Sequence, residues 1–94
     1  MTEKPSILVV EDEAKMRRLL ELELADQDFR AQTVPDAESA LKLLNTNQFD
    51  LIVTDLKLPG MTGIEFLQAV KRANAAIPII IMTAFGIATA FAFT

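Results

Sequence analysis

The sequence predicts an α/β protein built on a doubly wound parallel sheet, and three observations carry that prediction. Short apolar runs alternate with amphipathic helical segments along the chain. The links between them are only a few residues long, and no segment repeats. Acidic or hydroxyl residues close three of the apolar runs, at the strand ends where an open parallel sheet gathers its functional groups.

The elements follow in order. Ser6 to Val10 (SILVV) is a continuous apolar run, partly β-branched, and reads as a buried strand. Ala14 to Ala25 reads as a helix, with Met16, Leu19, Leu20 and Leu24 inward and Arg17, Arg18 and Glu21 off that face. Phe29 to Val34 alternates with period two, as an edge strand does. Asp36 suits the N-cap of a second helix whose inner face is Ala37, Ala40, Leu41 and Leu44. Leu51 to Thr54 is the third strand. Leu58 to Gly63 is loop, because it holds a proline and two glycines. Thr62 and Glu65 have capping-box spacing and open a third helix with Phe66, Leu67 and Val70 inward. Ile77 to Met82, the most apolar run, is the fourth strand.

Composition narrows the chemistry. The 94 residues are 51% hydrophobic and 23% charged, which describes one small domain. With no cysteine and no histidine, disulfides, thiolate or imidazole metal sites and Ser-His-Asp catalysis are excluded. A net charge of −4 speaks against direct nucleic-acid binding. All 22 charged side chains lie between Glu3 and Arg72. The uncharged stretch from Ala73 onward is interrupted by Asn74, Pro78, Thr83, Gly86 and Thr89, so it is not expected to span a membrane. The N-terminal MTEKPS lacks a signal-peptide core, and a cytoplasmic protein is expected.

The strand ends hold what chemistry remains. The first ends in Glu11-Asp12-Glu13, the third in Asp55 and the fourth in Thr83-Ala84. In one parallel sheet these ends share an edge, so Glu11, Asp12 and Asp55 form a cluster of like charges. Mg²⁺, which takes hard oxygen ligands, is the natural neutraliser and would also screen an incoming phosphoryl group. Asp12 taken alone is equally a helix N-cap, and spacing by itself does not make a phosphorylation site.

ILVVEDE at Ile7–Glu13, DLIVTDLKLPGMTG at Asp50–Gly63 and PIIIMTAFG at Pro78–Gly86 together resemble the receiver domain of bacterial response regulators. The wording LPGMTG and MTAFG is similar to receivers of nitrogen-regulation-type (sigma-54-dependent) transcriptional activators. The resemblance implies a CheY-like, flavodoxin-like fold with strand order 2-1-3-4-5. It also implies Asp55 as the phosphoacceptor, attacking the phosphorus of a phosphohistidine on a sensor histidine kinase. Glu11, Asp12 and Asp55 would hold Mg²⁺ with the backbone carbonyl of Lys57. Pro59 and Gly60 would shape the adjoining loop. Thr83 would be the switch hydroxyl, with the small Ala84 beside it. Such a module is a two-component signalling switch, not a turnover enzyme.

The resemblance also implies a fifth-strand lysine, yet no Lys or Arg follows Arg72. The expectation is therefore an incomplete receiver over residues 1–86, in 2-1-3-4 order without fifth strand and helix. Residues 87–94 would be an apolar tail, with Ile87, Ala90 and Phe91 at helical spacing as part of a fourth helix or an atypical ending. An uncompensated acid cluster costs about 1–3 kcal/mol, so phosphotransfer should be impaired. The fourth strand would be an open apolar edge, and a homodimer or higher oligomer through that edge and the tail is expected. The alternative function is a receiver-fold interaction module that works without phosphorylation. The intact acids argue for the first reading. Hydrolase chemistry is disfavoured by Lys57, where aspartyl-phosphate phosphatases place a second acid, and dinucleotide binding by the absence of GxGxxG after the first strand.

Overall fold

The computed structural model describes residues 4–73, 76–83 and 86–91. The order is β1 (Ser6–Val10), α1 (Ala14–Asp26), β2 (Arg30–Val34), α2 (Ala37–Thr46), β3 (Leu51–Asp55), β4 (Lys57–Leu58), β5 (Met61–Thr62), α3 (Gly63–Ala73), β6 (Pro78–Thr83) and β7 (Gly86–Phe91). The main sheet runs β2-β1-β3-β6-β7. Its first four strands are parallel, in the flavodoxin-like order expected.

Alternation along the strands sorts side chains to the two faces. Leu8, Val10, Ile52, Ile79 and Ile81 pack with Ala37 and Ala40 of α2 and with Phe66 and Val70 of α3. Phe66 and Ile52 are fully buried, so this side holds the larger core. On the opposite face Ile7 and Val9 are buried, whereas Leu51, Val53, Ile80 and Met82 are only half-buried. That face carries α1.

Local chemistry fixes the helix starts. The Asp36 carboxylate accepts from the Ser39 backbone N–H at 2.7 Å, and this bond, seconded by the Ser39 hydroxyl, holds its pKa below the ordinary value. The Thr62 hydroxyl accepts from the Glu65 N–H at 3.1 Å, while the Glu65 carboxylate accepts from the Thr62 N–H at 2.9 Å. The capping box is therefore formed in both directions.

Four expectations are corrected. The inner face of α1 is Arg17, Leu20, Glu21 and Leu24, all half-buried, while Met16 and Leu19 point outward. Polar backbone at the end of β1 recruits Arg17, and the Thr33 hydroxyl donates to the Glu21 carboxylate at 3.4 Å, so both polar residues turn inward. Second, the loop after Asp55 contains a small antiparallel hairpin, with Lys57 opposite Thr62 and Leu58 opposite Met61.

Third, residues 86–91 are a strand and not helix: GIATAF alternates Ile, Thr and Phe with small residues, and three apolar positions at helical spacing are too few to decide the period. Fourth, β6 is not an open edge. It pairs with β3 on one side and with the antiparallel β7 on the other, from Pro78 opposite Phe91 to Thr83 opposite Gly86. β7 thus occupies the fifth-strand position that was expected to be empty, and it satisfies the backbone groups that the predicted edge pairing required.

Candidate acidic site and its family

The site lies where the carboxyl ends of β1 and β3 meet. Val10 and Thr54 are register partners, so the residues that follow them, Glu11 and Asp55, emerge side by side. One carboxylate oxygen each from Glu11, Asp12 and Asp55 lies within 4.8 Å of the others. Asp12 is exposed, Asp55 half-buried and Glu11 buried at 5% exposure. Burial pushes the Glu11 carboxyl above its ordinary pKa. The Asp12 hydrogen bond and the charges of Asp55 and Asp12 add to that rise, against the lowering effect of the Glu13 backbone N–H. The Glu13 N–H donates to Glu11 Oε2 at 2.9 Å and fixes that side chain. Among the described residues no Lys or Arg side chain is ion-paired with the three acids.

The donor set is three carboxylates and no nitrogen or sulfur, a hard oxygen set suited to a divalent cation such as Mg²⁺. Lys57 stands two residues beyond Asp55 with an exposed side chain, in the β4–β5 hairpin. Pro59 and Gly60 form the tip of that hairpin. Gly60 has φ +84, the value a turn with proline second and glycine third requires. β6 ends at Thr83, one residue beyond Met82, the register partner of Asp55. Ala84 lies outside the described residues.

Two residues that sequence reasoning did not assign to the site support it. Arg17 Nη1 donates to the backbone carbonyls of Glu11 at 2.9 Å and Asp12 at 3.1 Å, clasping the turn that carries both acids. Gly63, the first residue of α3, is packed against the backbone that follows β3. Its N–H donates to Leu56 O at 2.6 Å, and a Cβ there would lie 2.8 Å from Asp55 O and 3.1 Å from Leu56 Cα. Neither contact has a signature in residue spacing; a glycine directly after a capping threonine was the one available hint.

Gly63→Ala is accordingly expected to destabilise the protein by roughly 1–3 kcal/mol, because the atoms it meets are backbone and cannot rotate away. It should also weaken divalent-cation binding, since Asp55 must move. Thermal denaturation and a Mg²⁺ titration check both, and an unchanged affinity would show that the Asp55 backbone does not need this close approach.

The sequence matches the family described as response regulator receiver domain over residues 7–92. The chain is a member of that family. Among curated relatives, it is 42% identical over 80 residues to the two-component response regulator PhoP of Pseudomonas aeruginosa, covering 85% of this chain and 36% of that protein. Its identity to the transcriptional regulatory protein AfsQ1 of Streptomyces coelicolor is likewise 42% over 80 residues, 85% of this chain and 35% of that one. The chain thus spans about a third of the length of these relatives.

Among solved structures, the receiver is similar to response regulator TrrA of Thermotoga maritima, determined in complex with Mg(2+)-BeF. The TM-score is 0.81 at 34% identity, with 85% of this chain and 70% of that chain covered. The Francisella response regulator 1452 receiver domain gives a TM-score of 0.81 at 31% identity, covering 86% of this chain and 67% of the other. Among the described residues of this receiver, no helix is long and apolar enough to cross a membrane.

Proposed function

We propose that this receiver accepts a phosphoryl group on Asp55, and the convergence of Glu11, Asp12 and Asp55 within 4.8 Å carries the reading. A carboxylate oxygen of Asp55 attacks the phosphorus of a phosphohistidine on a sensor histidine kinase. The N–P bond breaks, the histidine nitrogen takes the electron pair, and an acyl phosphate remains on Asp55. Glu11 and Asp12, with Asp55 and the backbone carbonyl of Lys57, would hold Mg²⁺. Bound there, the ion neutralises carboxylate and phosphoryl charge.

The chain's own residues do the positioning. Arg17 fixes the turn bearing Glu11 and Asp12, Glu13 N–H orients Glu11, and Gly63 lets α3 start against the Asp55 carbonyl. Thr83 serves as the switch hydroxyl at the end of β6 with Ala84 beside it, and Pro59 and Gly60 set the hairpin that presents the Lys57 carbonyl. The module is a switch operating in the cytoplasm.

Incubation with acetyl phosphate and Mg²⁺, read by intact mass, tests the proposal. A single phosphoryl adduct is expected on the wild type and none on Asp55→Asn. An adduct that persists in Asp55→Asn would move the acceptor elsewhere. No adduct on a wild type that still binds Mg²⁺ would leave the receiver fold without its chemistry.

A further inference from the structure

Two polar side chains are buried among the described residues, Glu11 and Thr54. Glu11 belongs to the acid cluster, whereas Thr54 stands in the apolar layer. It is fully buried on β3, in a row across the sheet between its register partners Val10 of β1 and Ile81 of β6. Both neighbours are buried and apolar. Valine has nearly the shape of threonine and is the ordinary occupant of such a parallel strand. A hydroxyl in that row is costly to bury unless it finds a partner.

The partner is the backbone of the residue that follows. Thr54 Oγ1 donates to the carbonyl of Asp55 at 3.1 Å. The peptide group leaving Asp55 is thereby held at both polar ends, because the Leu56 N–H donates to Met82 O at 2.9 Å. The start of α3 also presses on that carbonyl oxygen, since a Cβ on Gly63 would lie 2.8 Å from it. Asp55 is the last residue of β3, and beyond it these contacts, not the regular strand, dictate the backbone. A peptide group is planar, so fixing this one fixes the rotation about the Asp55 Cα–C bond. Through the shared Cα it also fixes the bearing of the carboxylate relative to Glu11 and Asp12.

We propose that Thr54 is a positioning residue for Asp55, its buried hydroxyl acting through the Asp55 carbonyl to hold the carboxylate toward Glu11 and Asp12. The kinetic part of the proposal rests on Asp55 being the phosphoacceptor. The cation-binding part rests on the acid cluster alone.

Two variants separate the hydroxyl from its packing. Thr54→Val keeps the shape and removes the donor, while Thr54→Ser keeps the donor and removes a methyl group. Circular dichroism establishes that each is folded, and each is compared with the 94-residue wild type in two assays. Mg²⁺ affinity is measured by titration without a phosphodonor. The rate of acyl phosphate formation is followed by intact mass, with acetyl phosphate at saturating Mg²⁺.

Thr54→Val is expected to lose at least about fivefold in both affinity and rate. Thr54→Ser should retain the wild-type values. A role in packing alone would put the two variants in the opposite order, because serine leaves a void and valine does not. Thr54→Val with wild-type values, or Thr54→Ser as impaired as Thr54→Val, would overturn the proposal. A wild type that binds Mg²⁺ and forms no adduct would count against Asp55 as the acceptor. The comparison of Mg²⁺ affinities then decides the role of Thr54 by itself.

Discussion

Phe66→Ala is expected to remove about 3–5 kcal/mol of folding stability. Phe66 is fully buried, and it is the largest of the fully buried side chains among the described residues. It joins Val70 of α3 to Leu8, Val10, Ile52 and Ile79 of the sheet, so its removal opens a cavity between two rigid layers. A domain of this length commonly has roughly 5–14 kcal/mol in total, so the variant should sit near the edge of unfolding at ambient temperature. Urea denaturation should show a much lower midpoint with an unchanged slope. A loss below about 1 kcal/mol would mean that α3 is not seated on the sheet as described. The functional consequence follows from Gly63, which joins the same helix to the backbone at Asp55.

Glu11→Gln is expected to act in opposite directions on stability and on cation binding. Glu11 is buried beside two other acids, and burial, with the charges of Asp55 and Asp12, raises its carboxyl above its ordinary value. In the unfolded chain it titrates near the ordinary value. Below that value the group is protonated in both states and costs the fold nothing. As pH rises through the folded-state value, the folded protein must give up a proton it holds more tightly than the unfolded chain does, and stability falls.

Wild type and Glu11→Gln should therefore be nearly equal in stability at low pH and diverge as the pH rises. At neutral pH the variant should be more stable by roughly 0.5–2 kcal/mol without added cation. The amide oxygen can still accept from the Glu13 N–H, so the local turn is kept. Mg²⁺ affinity, by contrast, should drop by at least about tenfold, because the donor set loses a charge. Paired thermal melts with and without Mg²⁺, at two pH values, read out both effects. Equal destabilisation at both pH values would show that Glu11 acts through packing and not through charge.

The strand ends were legible in the sequence because a parallel sheet places them by topology alone. Once SILVV, LIVT and IPIIIM read as strands, Glu11, Asp12 and Asp55 had to meet at one edge, and they do. The helix starts at Asp36 and Thr62 were equally readable, since capping chemistry is local. The rotation of α1 was not. Its apolar residues surround so much of the helix that several faces fit the core, and the choice fell to polar contacts made by Arg17 and Glu21 with distant segments.

The sequence of β7 was ambiguous for another reason. Six residues of mixed Gly, Ala, Ile, Thr and Phe satisfy a helical or a strand period, and the open side of β6 decides between them. Gly63 and Arg17 support the site through close backbone contacts, which leave no periodic trace.

The antiparallel pairing of β6 with β7 also bears on how the chain assembles. The other three seams of the sheet join strands separated by a whole helix or more, as Ile7 with Leu51 and Ile52 with Ile79. Each must close a long stretch of chain before any contact rewards it. The last seam joins neighbours in sequence, Thr83 with Gly86 at its near end, and can zip from there like any hairpin. The search cost of folding is thus concentrated in the crossovers, and the final strand joins almost without delay once β6 is in place. Substitutions along β1 and β3 should slow folding, whereas those along β7 should chiefly hasten its loss.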